Sequence, residues 1–209
     1  MRVEIATPSG PAVADIDRPR TVATALLVLT HGAGGGVESA DVNAVRGAAL
    51  KAGIAVVRLV QPYRVAGRSA PPAATDKQDE AWLAAVAAIR RRRGFGPLPL
   101  IVGGRSNGAR AACRTAAASG AVGVVALAFP VHPPGKPEVT RLPELDGAGV
   151  PVLVVQGDRD PFGMPPAARG RELLVIPGAG HSLNRELPTI AAAVTRFVTT
   201  VAARANVEA

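Results

Sequence analysis

A doubly wound α/β architecture, a mostly parallel sheet flanked by helices, is predicted by three observations. Short, continuous apolar runs rich in β-branched residues recur along the chain, the pattern of strands buried on both faces. Segments of helical periodicity lie between those runs. The connections are short, so strands and helices alternate as in layered α/β domains.

The elements follow in order. Residues 2–7 and 20–24 are expected as antiparallel edge strands. The run at 25–29 is the first buried strand, ended by Thr30-His31-Gly32, and Val42, Val45 and Ala49 then share a helix face before Gly53. A second run, 54–60, stops at Gln61-Pro62, and the Pro-rich stretch 62–73 reads as a loop. Thr75 and Gln78 have the spacing of a capping box, with Trp82, Val86 and Ile89 on one face beyond it. Residues 98–102 precede Gly103-Gly104, and the Ala-rich stretch 107–119 ends at Gly120. The run 122–127 leads to Phe129-Pro130 and a second Pro-rich loop, 130–143. Two more runs, 150–155 and 173–176, precede Gln156-Gly157 and Pro177-Gly178. Ile190, Val194, Phe197, Val198 and Val201 mark a last amphipathic helix. No repeat or low-complexity linker interrupts the pattern, so residues 1–209 read as a single domain.

Composition excludes several classes. A chain with 48% hydrophobic and 19% charged residues does not have the balance of a disordered one. Its one cysteine, Cys113, excludes a disulfide framework and a cysteine-based zinc site. No apolar run is long enough to span a bilayer. The start, Met1-Arg2-Val3-Glu4-Ile5, lacks the apolar core of a signal peptide, so a cytoplasmic protein without a membrane partner is expected. The net charge of +8 raises the question of nucleic acid. Its densest cluster, the arginine run at 90–93, closes a helical pattern, where cations complement the helix dipole. One Trp and one Tyr offer no stacking platform, and no specific nucleic-acid partner is expected.

The chemistry concentrates in Gly104-Arg105-Ser106-Asn107-Gly108, a Gly-x-Ser-x-Gly pattern between an apolar run and a helix. In that context the serine sits on a strained strand-to-helix turn, and small neighbours leave room for it. A serine nucleophile needs a base and an orienting acid. Only three histidines occur, His31, His132 and His181. His181 follows the last apolar run, and Asp160 follows the one before it, with Asp158 as the competing acid. The order Ser106, Asp160, His181 places all three at strand carboxyl ends, where open α/β sheets gather their ligands. The loop His31-Gly32-Ala33-Gly34-Gly35-Gly36 follows the first buried run. With the Asn107 N–H it is expected to supply an oxyanion site, through Ala33 or alternatively Gly34. The loop is a poor dinucleotide motif, because the Gly-x-Gly-x-x-Gly spacing fails at Val37, and no P-loop exists.

These stretches, together with 130–137, Arg141, Leu145 and Gly180-His181-Ser182, resemble small cap-less α/β hydrolases. The likeness is to the dienelactone-hydrolase-like and testis-expressed-protein-type branches, over residues 25–200. The resemblance implies a minimal α/β-hydrolase fold without a cap domain. It implies Ser106 as nucleophile, His181 as general base and then acid, and Asp160 as the orienting carboxylate. The chemistry would be hydrolysis of a small ester or related acyl compound through an acyl-enzyme, without metal or organic cofactor. One departure is the serine, since dienelactone hydrolases carry cysteine at the elbow, which argues against dienelactone itself as substrate. Gly34, Tyr63, Arg105, Phe129 and Phe162 are candidates for the substrate pocket, and His31 for bracing the oxyanion loop. The rival reading is a non-catalytic member of the same fold acting as a binding or scaffold module.

Overall fold

Side chains alternate between the two faces of a strand, so a strand that is apolar throughout must be covered on both sides. The computed structural model describes residues 1–208 and meets that demand with two helical layers. An antiparallel pair opens the chain, β1 (Arg2–Ile5) and β2 (Ala12–Asp17). Then follow β3 (Ala25–Thr30), α1 (Ala40–Lys51), β4 (Ile54–Val60), the one-turn α2 (Pro62–Val65) and α3 (Thr75–Arg90). The second half comprises β5 (Leu100–Arg105), α4 (Asn107–Ser119), β6 (Gly123–Leu127), the short α5 (Leu142–Asp146), β7 (Val152–Gly157), β8 (Arg171–Ile176) and α6 (Leu187–Glu208).

One eight-stranded sheet runs in the order β1-β2-β4-β3-β5-β6-β7-β8. From β4 to β8 every neighbouring pair is parallel. The reversal of strand order falls at β3, whose neighbours are β4 and β5. Leu26 and Val28 face Trp82, Val86 and Ile89 of α3 and the alanines of α4. Leu27 and Leu29 face Val42 and Val45 of α1 and Val194 and Val198 of α6. All four β3 leucine and valine side chains are fully buried, each contributing about 1.5–3 kcal/mol from removal of apolar surface.

Four expectations change. Residues 20–24 form no strand; the second antiparallel strand is β2, where Ala12, Ala14 and Ile16 point inward and Val13, Asp15 and Asp17 are half exposed. Gly103 and Gly104 do not end β5 but belong to it, because a Cβ at Gly103 would lie 2.5 Å from the Val125 carbonyl oxygen. The capping box is absent: Ala74 is the N-cap of α3, and the buried Gln78 instead donates to Gln61 Oε1 at 2.7 Å. The Pro-rich segments carry short helices, α2 and α5, each with proline in its first turn, where the missing N–H has no intrahelical role.

Candidate active site

The turn from β5 into α4 sets Ser106 at φ 53° and ψ −114°, a backbone state costing a non-glycine residue about 1–3 kcal/mol. The Ser106 N–H donates to the Leu127 carbonyl at 2.9 Å, which holds the turn against β6. The glycines at either side are dictated by contact. A Cβ on Gly108 would meet the His31 carbonyl oxygen at 2.6 Å, and one on Gly104 would meet the Thr30 carbonyl oxygen at 2.8 Å. Backbone atoms cannot yield as a side-chain tip can. Gly108→Ala should therefore destabilise the protein by about 2–3 kcal/mol and lower Tm by roughly 5–10 °C. A thermal melt unchanged by this substitution would contradict that tight packing.

His181, in the turn between β8 and α6, and Asp160, in the turn after β7, meet Ser106 above the sheet edge. His181 Nε2 lies 2.8 Å from Ser106 Oγ, and Nδ1 lies 2.8 Å from Asp160 Oδ2. With the carboxylate accepting, the proton sits on Nδ1 and Nε2 is left to accept from the serine hydroxyl. The Asp160 side chain is fully buried. Its Oδ1 accepts from the Phe162 N–H at 2.9 Å, and Oδ2 also accepts from Gln156 Nε2 at 3.0 Å. Gln156 is in turn held by the Gly163 carbonyl at 2.8 Å. Asp158 points elsewhere: its Oδ1 accepts from the Gly178 N–H at 2.7 Å and ties the two turns together.

The loop after β3 lies against the serine, with Gly32 so near that a Cβ there would be 3.2 Å from Ser106 Cβ. Ala33 and Gly34 of this loop and Asn107 line the same cleft as Ser106. Asn107 is the first residue of α4, so its N–H has no acceptor within the helix. His31 is fully buried beneath the loop. It accepts from the Gln61 N–H through Nε2 at 3.0 Å, so Nδ1 carries the proton and donates to the Gly32 carbonyl at 2.8 Å. Burial holds the His31 pKa below its ordinary value.

The unfolded chain therefore takes up a proton at this position before the native state does. Stability is retained above about pH 6.5 and declines as pH falls below it, by at most about 1.4 kcal/mol per pH unit for this residue. Denaturant curves at about pH 7.5 and about pH 5.5 should show a shallower pH dependence in His31→Gln than in wild type. Equal slopes would remove His31 as the source.

The cleft has a volume of about 520 Å³ and is open to solvent, and the one helix between β6 and β7 among the described residues is the five-residue α5, which does not line it. Phe162 lines it and packs edge-on against the His181 ring, centroids 4.5 Å apart and planes at 81°. Arg105 also lines it, but its charge is engaged: Nε is 3.3 Å from the fully buried Asp41, and Nη2 donates to the His181 carbonyl at 2.7 Å. It thereby links α1 to the histidine turn. Two expected pocket residues are placed elsewhere. Phe129 is fully buried in the core beneath the sheet with Trp82 and Cys113, because the chain turns at Ala128 (φ 49°) directly after β6. Tyr63 is buried behind the loop, where its hydroxyl donates to the Ala33 carbonyl at 3.3 Å. Burial pushes its pKa up to about 12, which keeps it a donor.

Gln156, Arg110 and Arg141 carry no assigned role in the sequence alone. The available signals were a polar residue at the end of an apolar strand and an arginine four residues beyond Ser106 on one helix face. Cys113 is fully buried in α4, and burial pushes its thiol pKa up to about 12, the state of an unreactive thiol. Among the described residues no three His, Cys, Asp or Glu side chains gather to hold a metal ion, and no helix is long and apolar enough to cross a membrane.

Residues 23–193 match the family described as alpha/beta hydrolase domain. The chain belongs to the alpha/beta-hydrolase family. No curated protein sequence gives a significant match. Among solved structures, this alpha/beta hydrolase is similar to Est1E from Butyrivibrio proteoclasticus (TM-score 0.78, 17% identity, 97% of this chain and 99% of that one). It is similar to a dienelactone hydrolase from Anabaena variabilis (TM-score 0.75, 17% identity, 96% of each chain). A serine hydrolase without lid from Xanthomonas campestris is also similar (TM-score 0.73, 22% identity, 96% of this chain and 94% of that one). At such identities the likeness is one of fold, and the eight-stranded, mostly parallel sheet of this alpha/beta hydrolase is the shared element.

Proposed function

We propose that the protein is a serine hydrolase of the carboxylesterase kind, cleaving small esters through an acyl-enzyme on Ser106. The observation that carries this reading is the hydrogen-bonded series Ser106–His181–Asp160, which opens into a cleft beside two candidate oxyanion donors. His181 Nε2 takes the hydroxyl proton as Ser106 Oγ bonds to the ester carbonyl carbon. The charge developing on the carbonyl oxygen faces the N–H groups of Asn107 and Ala33. The carbon–oxygen bond to the alcohol then breaks, and the alcohol leaves with the proton held by His181. Water gives a proton to His181 and its oxygen to the acyl carbon. The Ser106–acyl bond breaks, Ser106 recovers its proton, and the acid departs. Asp160 keeps Nδ1 protonated and balances the imidazolium charge throughout.

Small or extended esters suit an open cleft of this size better than a fully enclosed lipid chain. A serine-directed fluorophosphonate should label the protein on the peptide that contains Ser106, and p-nitrophenyl esters of short acids should be turned over. Neither labelling nor turnover beyond that of Ser106→Ala would end the enzymatic reading.

A further inference from the structure

Three arginines line the cleft with Ser106: Arg105, Arg110 and Arg141. Two of them have their charge matched. Arg105 pairs with Asp41. Arg110 grips Glu144 with two hydrogen bonds, at 2.7 and 2.5 Å. Glu144 also accepts from Arg114 at 3.2 Å, and Arg114 grips Asp79 at 2.7 and 2.6 Å. Two guanidinium groups and two carboxylates thus close into a neutral network.

Arg141 is different. It is half-buried, and its Nη1 donates only a long bond, 3.3 Å, to the His132 carbonyl. Among the described residues no carboxylate forms an ion pair with it. Burial first, and then the nearby Arg110 charge, act against its own charge, while Glu144, already gripped by Arg110 and Arg114, acts the other way. The cleft wall therefore carries one uncompensated positive charge next to a second guanidinium, in a place that water only partly reaches. A single negative charge resting there would be attracted by Arg141, since Arg110 beside it is already matched by Glu144. The planar guanidinium of Arg141 is suited to gripping a carboxylate. Arg110 follows Ser106 by four residues on α4, about 6 Å along the helix axis, so the charge would sit within a short chain's reach of the reacting carbonyl.

We propose that the natural substrate of this site is an ester bearing a carboxylate close to the scissile bond, and that Arg141, flanked by Arg110, selects it. One excess cation matches a monoanion and leaves a doubly charged phosphate half balanced. The proposal rests on the serine-hydrolase reading and adds the chemical class of the substrate.

Two matched pairs of esters test it. In the first, p-nitrophenyl hemiglutarate is compared with p-nitrophenyl pentanoate, which places the carboxylate on the acyl side. In the second, 4-carboxyphenyl pentanoate is compared with phenyl pentanoate, which places it on the alcohol side. In at least one pair the charged ester should have the higher kcat/KM, and that advantage should shrink with added salt as screening grows. Arg141→Gln keeps a donor for the His132 carbonyl but removes the charge. It should reduce the charged-to-neutral ratio about tenfold or more, and Arg141→Lys should restore part of it. The responding pair identifies the side of the bond that carries the charge. Should Arg141→Gln fail to fold, the salt series on wild type and the Arg141→Lys ratio decide. A ratio insensitive to Arg141 and to salt in both pairs overturns the carboxylate assignment while leaving hydrolysis intact. Absence of turnover for all four esters, together with absence of fluorophosphonate labelling, overturns the hydrolase reading itself.

Discussion

Ser106→Ala is expected to lower kcat/KM for a small ester by about 10³-fold or more while leaving the fold in place. The side chain contributes a single oxygen at the end of the Ser106–His181–Asp160 series, and its hydroxyl bonds to nothing else among the described residues. Removing it deletes the proposed attacking atom and leaves the Asn107 and Ala33 N–H groups, His181 and the cleft intact. What activity remains would come from water held near those groups. Steady-state kinetics, with circular dichroism as a check on folding, measure the loss. A decline of less than about tenfold would place the nucleophile elsewhere.

Asp160→Ala is expected to be nearly as damaging, about 10³-fold or more in kcat, and to cost stability too. Three donors converge on this buried carboxylate: His181 Nδ1, Gln156 Nε2 and the Phe162 N–H. Alanine would leave the Phe162 N–H and His181 Nδ1 without this acceptor, at about 1–3 kcal/mol for each group that water cannot reach, while Gln156 Nε2 keeps the carbonyls of Gly163 and Phe129. It would also free His181 to carry its proton on Nε2, the form unable to accept from Ser106. Asp160→Asn makes a sharper comparison. Gln156 donates to the Oδ2 position, so the asparagine settles with its oxygen there and its amino group toward the Phe162 N–H. That orientation still accepts from His181 Nδ1, and it gives up the negative charge and the Phe162 bond. The asparagine variant should therefore retain distinctly more activity than the alanine variant. Equal losses in the two would mean that the carboxylate charge, and not the orientation of the His181 ring, carries the effect of Asp160.

The parallel core was legible because it is made of runs such as 26–29 and 152–155, which only a strand covered on both faces explains. β2 was not, because its inward positions are mainly the small Ala12 and Ala14, whose alternation with Val13 and Asp15 is a weak signal. Ser106, His181 and Asp160 were readable because the fold brings strand carboxyl ends together, so their order along the chain already places them on one edge. Phe129 was misplaced for a local reason: a left-handed turn at Ala128 sends the next ring down into the core. Tyr63, expected in the substrate pocket, lies instead behind the loop after β3. Arg105 was named from its place in the serine motif, whereas Arg110 and Arg141 depend on α4, the loop before α5 and α5 itself converging, and no spacing in the sequence encodes such a meeting. Gln156 was visible as a polar residue closing an apolar strand. Its role emerges only once the turn after Gly157 folds back beside it and brings Asp160 within reach as its acceptor. That turn packs so closely on the histidine turn that a Cβ at Gly157 would collide with the Ala179 carbonyl.

The strand order has a consequence for how the site comes into being. Ala33 follows β3, Ser106 follows β5, Asp160 follows β7 and His181 follows β8, so its parts are spread over most of the chain. No fragment ending before β8 contains the histidine, and no early hairpin assembles any two of the four. Parallel pairings of this kind close long loops and form late in folding. If Ser106 and His181 carry the proposed hydrolysis, recovery of activity during refolding would thus report the last strand's arrival on the sheet, and a newly made chain would stay inert until its carboxyl-terminal quarter had docked.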